Sequence, residues 1–303
     1  MTLEMMEGLL FATIRTGTPL LLVGLGVLIC EKSGVLNIGQ EGLVLMGAAC
    51  AFIGCHVSGN AWIGALAGAM AAALMGILFA VLVLLLQTNQ VATGLALTIF
   101  GSGLAAFLGG DYVGESIQGF TVVPIPFLSA LPLLGGGLFS QDPLVYFSLV
   151  LLILVWYLTT RSYTGLVLKA LGDNPQAAHQ IGYPVILIRF AAVVTGAAFA
   201  GLAGAYLATA YTPLWTESIS SGRGWIGLAL VVFAGWRVIR LAAGAYLFGL
   251  ASIAHLSLQT LGYELSPNLL ATLPYLLTII ALVLMAHRSD GPPSSLGTPF
   301  RSG

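Results

Sequence analysis

The chain has 303 residues, 58% of them hydrophobic and only 7% charged, with a net charge of −1. An ordinary soluble domain carries about 25% charged residues, so ten basic and eleven acidic side chains cannot dress a water-facing surface of this size, and the mean hydropathy of +1.00 makes lipid the solvent. The charge balance also excludes nucleic acid as a partner, which calls for a basic patch.

Crossing the hydrocarbon takes about 20 apolar residues in a helix that satisfies its own backbone, and alternating strands of barrel type are absent. The fold class is all-α, a polytopic transmembrane bundle. In chain order the apolar runs fall at 8–30, 40–57, 61–86, 91–109, 142–160, 185–209, 223–238, 241–259 and 268–287, about nine spans with a range of 8–10. No basic n-region precedes the first run, where Glu4 and Glu7 stand instead, so a cleavable signal peptide is not expected. With the N-terminus outside and the C-terminus inside, Lys32, Arg161, Lys169, Arg189, Arg237, Arg240, Arg288 and Arg301 fall inside and only Arg15 and Arg223 outside, as the positive-inside rule asks. Residues 1–288 read as one transmembrane domain. The Pro/Gly/Ser-rich tail 289–303 reads as flexible and cytoplasmic.

Polar residues at membrane depth are costly and mark function by default. The first cluster runs from Glu31 to Gly42 and holds Asn37, Gln40 and Glu41, with Gly34, Gly39 and Gly42 between them. It is either a plain inner loop with Glu31 and Lys32 solvated, or a broken-helix segment beside a translocation path. The second, Asn89, Gln90, Thr93 and Thr98, either caps the fourth helix or lines that path. A third follows the sixth span, from Tyr211 through Glu217 to Arg223 and Trp225. Trp225 suits an interface anchor, and Glu217 with Arg223 suits a salt bridge or docking point at the outer mouth. Glycine-rich entries precede both the second and the seventh runs, and two spans five apart cross in opposite directions, the relation found in inverted repeats.

The inner loop 161–184 holds the fourth element, Gly172-Asp173-Asn174-Pro175 followed by Ala177, Ala178 and Gly182. Asp173 or Asn174 caps a short helix over Pro175–Ile181, Pro175 takes its first position and Gly182 ends it. Such a helix is a surface linker or a lever that docks into a partner. Cys30, Cys50 and Cys55 carry no metal spacing and read as packing residues. The four histidines are not spaced as ligands, and no catalytic constellation or phosphate-binding G-x-x-x-x-G-K-[ST] loop is present. An ion-gradient-driven secondary transporter is the alternative, and it requires a mid-helix carboxylate or His, for which His255 is the nearest case.

Four strings in order carry a family resemblance. EKSGVLNIGQEGLVLMGA, NQVATGLALTIFGSGL, ALGDNPQAAHQIGY and YTPLWTESISSGRGWIGLALVVFAGW resemble the conserved segments of ABC permeases of the branched-chain amino acid, simple-sugar and nucleoside group, its nucleoside branch above all. Thr98 departs from that pattern, which has Asn there. The resemblance implies a pore-forming subunit in a bacterial plasma (inner) membrane. It implies an ABC ATPase on the coupling helix, a second homologous permease chain forming a heterodimer, and an extracytoplasmic solute-binding protein. It implies no cofactor in this chain, ATP-Mg being held by the ATPase.

Overall fold

The computed structural model describes residues 3–132, 134–260 and 291–300, with Thr272, Leu276 and Ile280 between them. The expected last span, 268–287, lies outside the described residues. Helices run in chain order as α1 (Leu3–Lys32), α2 (Gln40–Ser58), α3 (Ala61–Ala80) and α4 (Gln90–Gly109). A two-residue antiparallel ladder, β1 (Val123–Pro124) with β2 (Ser140–Gln141), brackets the short α5 (Leu134–Leu138). Then come α6 (Pro143–Thr160), α7 (Tyr163–Asp173), α8 (Pro175–Gln180), α9 (Val185–Tyr206), α10 (Arg223–Phe233) and α11 (Val238–Thr260). Wider π turns extend α3 over Val81–Leu85 and α9 over Leu207–Tyr211. Six of these helices are long and apolar enough to cross a membrane.

Local chemistry explains the starts. Asn60, Asn89, Asp142, Ser162 and Asn174 each accept a backbone N–H from the first turn of the helix they precede, filling donors that a helix start leaves empty. The Asn60 cap makes a tight hairpin of α2 and α3.

Small residues set the packing. Antiparallel α1 and α9 form the axis: Arg189 bonds the Ser33 carbonyl at 2.9 Å, Gly26 meets Gly196 in the middle, and Arg15 reaches the Ala210 carbonyl at the far end. At the crossing of α2, α3 and α9, a methyl on Gly47 would stand 2.5 Å from Gly201 Cα, and one on Gly68 would stand 2.5 Å from the Gly47 carbonyl. Backbones this close leave no room for a side chain, which is how helices associate where no hydrophobic force drives them together.

These contacts set the direction of the described helices. One end of the bundle carries the start of α1, the loop 110–142 and the end of α9. The other carries Lys32, the turn at 86–89, the loop 161–184, the turn at Trp236 and the tail 291–300. The seventh apolar run differs from expectation. Its helix, α10, has 11 residues, about 16 Å at 1.5 Å per residue, roughly half of what a full crossing needs. Irregular backbone over 212–222 supplies the rest: Trp215 packs on Gly109 at one end, and Trp236 bonds Glu31 at the other. The left-handed Gly235 (φ 58) and Trp236 (φ 55) then turn the chain into α11. The tail also differs. Residues 291–300 are packed: Ser295 is buried, bonded to Gly172 and Arg189, and Phe300 sits against His179.

Candidate functional site

Two helices that start in mid-bundle face each other nose to nose. α2 begins at Gln40 and runs toward the α1 start; α10 begins at Arg223 and runs the opposite way. Their first turns touch, for a methyl on Gly224 would stand 2.6 Å from Glu41 Cα. The Glu41 carboxylate lies between them, accepting Ser220 Oγ at 2.5 Å, Gly222 N at 2.8 Å and Gly224 N at 2.7 Å. It thereby fills orphan donors of α10 and places negative charge at the positive ends of two helix dipoles. Both glycine-rich entries therefore meet, and their helices run in opposite directions.

Behind this contact, the segment 33–39 climbs along α4. Gln90 Oε1 accepts Leu36 N at 2.7 Å, and Asn37 Oδ1 accepts Gly39 N at 2.8 Å. Gly42 fits under the Leu97 carbonyl, where a methyl would stand at 2.7 Å, and Thr98 Oγ1 lies 3.5 Å from the Ile38 carbonyl. Irregular backbone is tolerated at such depth because these side chains close it. Glu31 is buried rather than solvated; its Oε2 accepts Trp236 Nε1 at 2.6 Å. The two glutamates thus hold opposite ends of α10, Glu41 its start and Glu31 the turn beyond its end.

Of the candidates for the pathway, Asn37, Gln40, Glu41 and Gln90 are buried within the chain, where they fix its backbone. Asn89 is exposed and caps α4; Thr93 bonds Asn89 and Thr88; Thr98 is half-buried. Glu217 and Trp225 are exposed, whereas Arg223 turns back onto the Ile219 and Ser220 carbonyls at 3.2 Å and lies over the Tyr211 ring.

At the other end, α7 and α8 form a bent pair. Asn174 is the cap, its Oδ1 accepting Ala177 N at 3.0 Å; Pro175 is first in the helix and Gly182 (φ 97) follows its end. Asp173 and Ala177 are exposed, as is Ile181 at 73%. Gly172 and Ala178 instead face inward. Gly172 packs against Lys32 and Pro293, and Ala178 joins Leu171, Val185 and Phe300 in a small core. The outward face is therefore narrower than the sequence suggested. α7 was read as loop; the Ser162 cap with Leu168 and Leu171 one turn apart is the signal for it. The buried Arg189 was counted only as a charge, yet it bonds Ser33, Leu171 and Ser295 together.

Residues 9–284 match the family described as the permease component of branched-chain amino acid transport systems. The chain belongs to this family. A protein of Haloferax volcanii assigned as a glucose ABC transporter permease is 40% identical over 93% of both chains. A nucleoside ABC transporter permease of Lactococcus lactis is 32% identical over 91% of both, and a guanosine ABC transporter permease of Bacillus subtilis is 30% identical over 96% of both. The chain is accordingly a permease subunit of an ABC importer and a multi-pass membrane protein. These relatives are ABC permeases and none points to the ion-gradient alternative; the side chain of His255, its nearest case, lies outside the described residues.

Proposed function

We propose that this permease imports nucleosides or a related small polar solute. It does so with an ABC ATPase seated on α8, a second homologous permease chain across the path and an extracytoplasmic binding protein above it. ATP-Mg is held by the ATPase. The chain lies N-out and C-in in the bacterial inner membrane with about nine crossings, one of them made by 212–222 and α10 together. The basic residues support this orientation: Lys32, Arg161, Lys169, Arg189, Arg237 and Arg240 gather toward the α8 end, the side that faces the cytoplasm under the positive-inside rule.

The observation that carries the mechanism is the Glu41 contact. ATP-driven closure of the ATPases pushes α8 through Asp173, Ala177 and Ile181. The small core under Ala178 and the Arg189 bonds pass that push to Ser33 and the start of the broken segment. Packed helices then tilt as rigid units, and α2 and α10 move about their shared start. Asn89, Thr93, Thr98, Glu217 and Trp225, on partly exposed faces, border the path between the two permease chains, while Asn37, Gln40, Gln90 and Arg223 hold its wall. Membrane vesicles carrying the complete transporter should take up labelled guanosine, with unlabelled nucleosides competing and glucose not. Competition by glucose alone would transfer the solute reading to a sugar.

A further inference from the structure

The loop between α4 and α6 has the composition of a membrane-facing element. From Ser116 to Gln141 there is no Asp, Glu, Lys, Arg or His, where a solvated stretch of that length would hold about six charged residues. Its apolar residues are turned outward. Phe127 is 94% exposed, and Val122, Val123, Leu128, Leu131 and Leu134 are exposed with it.

Much of the backbone of this loop is paired within it. Ile125 N bonds the Phe139 carbonyl at 2.9 Å, Leu128 N bonds Pro126, Ser129 N bonds Ile125, Leu131 N bonds Leu128 and Gly135 N bonds Leu131. Pro124, Pro126 and Pro132 have no N–H to satisfy. Pairing of this kind suits contact with lipid, where each open N–H would cost several kcal/mol.

Its base is tied to α1. Gly137 packs on Leu10 of α1, and Gln141 Nε2 bonds the Gly137 carbonyl at 2.5 Å and lies 3.4 Å from that of Phe11. Both Leu10 and Phe11 fall within the first candidate span, Glu4–Lys32. Beside it Trp62, in the first turn of α3, meets Phe120 at 5.0 Å and Phe147 at 6.2 Å between ring centroids, the aromatic arrangement of a membrane–water boundary.

We propose that Val122–Leu134 lies in the lipid interface as an in-plane anchor, with Phe127 inserted among acyl chains. The absence of charge argues against the binding protein as occupant, because specificity and encounter rate at such interfaces come from charged groups. The leaflet, outer, rests on the orientation proposed above; contact with lipid does not.

The test uses nitroxide-labelled Phe127→Cys, and separately Leu131→Cys, with the three native cysteines replaced. The complete transporter is placed in phosphatidylethanolamine/phosphatidylglycerol nanodiscs. Oxygen should relax both labels more than a water-soluble nickel chelate does, matching a control at Ile153→Cys on the exposed face of mid-α6. Dominant nickel access, as expected at Ser58→Cys, would overturn the proposal, and so would protection from both reagents, which would mean a protein cover. Nanodiscs expose both faces, so the result is independent of orientation and of transport. Labels that are lipid-accessible in a transporter showing no guanosine uptake would leave this proposal standing and sink the solute reading.

Discussion

Replacing Glu41 by alanine is expected to abolish most uptake, by about tenfold or more, while the chain still inserts. The carboxylate is 9% exposed and serves three donors on the other half of the molecule. Removing it leaves those donors unmatched, at about 1–3 kcal/mol each, and withdraws the charge that offsets two helix dipoles. The start of α10 then has no fixed position against α2. Glu41→Gln keeps one acceptor and turns an NH2 toward a backbone N–H, so it should fall between wild type and Glu41→Ala. Uptake in vesicles, with protein level scored by immunoblot, reads the series. Equal uptake in Glu41→Ala and wild type would show that the contact does not govern the path.

Ala177→Asp is expected to uncouple the ATPase. Ala177 faces out from α8 between the Asn174 cap and Ile181, and a charge brought into an apolar contact without a partner costs a few kcal/mol. Solute-stimulated ATP hydrolysis should drop by about tenfold or more, with the chain present at its normal level. Ala178→Asp is a different experiment, because Ala178 lies among Leu171, Val185 and Phe300. A charge there damages the permease itself, and protein level should fall with uptake. Ala177→Cys reports orientation as well: in the permease expressed without its ATPase and with the three native cysteines replaced, a membrane-impermeant maleimide should label it in inverted vesicles and not in intact spheroplasts. Normal solute-stimulated hydrolysis in Ala177→Asp would remove α8 from the coupling route.

Much of the bundle was legible in the sequence because caps and turns are local. Asn60, Asn89 and Asn174 mark helix starts through bonds to residues two or three places on. The break near Trp236–Arg240 was legible from Arg237 and Arg240, but the apolar run 223–238 gives no sign that its helix ends at Phe233, before the left-handed Gly235 and Trp236. The tail was read from composition. Proline and serine do argue against a helix there, but the burial of Ser295 is decided by Arg189, more than a hundred residues earlier in the chain. The polar clusters were found, yet their direction was not. In a membrane chain a polar residue is either closed internally or faces water, and residue type is the same in both cases. Asn37, Gln40, Glu41 and Gln90 took the first course; Asn89, Glu217 and Trp225 remain on the surface.

This chain is expected to conduct solute only when an ATPase moves it. The direct measurement is guanosine uptake in proteoliposomes holding the full transporter and its binding protein, with ATP on the α8 side and a protonophore plus ionophores present throughout. Uptake should require ATP, ignore the collapse of ion gradients, and disappear when the ATPase is catalytically dead. Uptake that persists without ATP and vanishes with the gradients would contradict it.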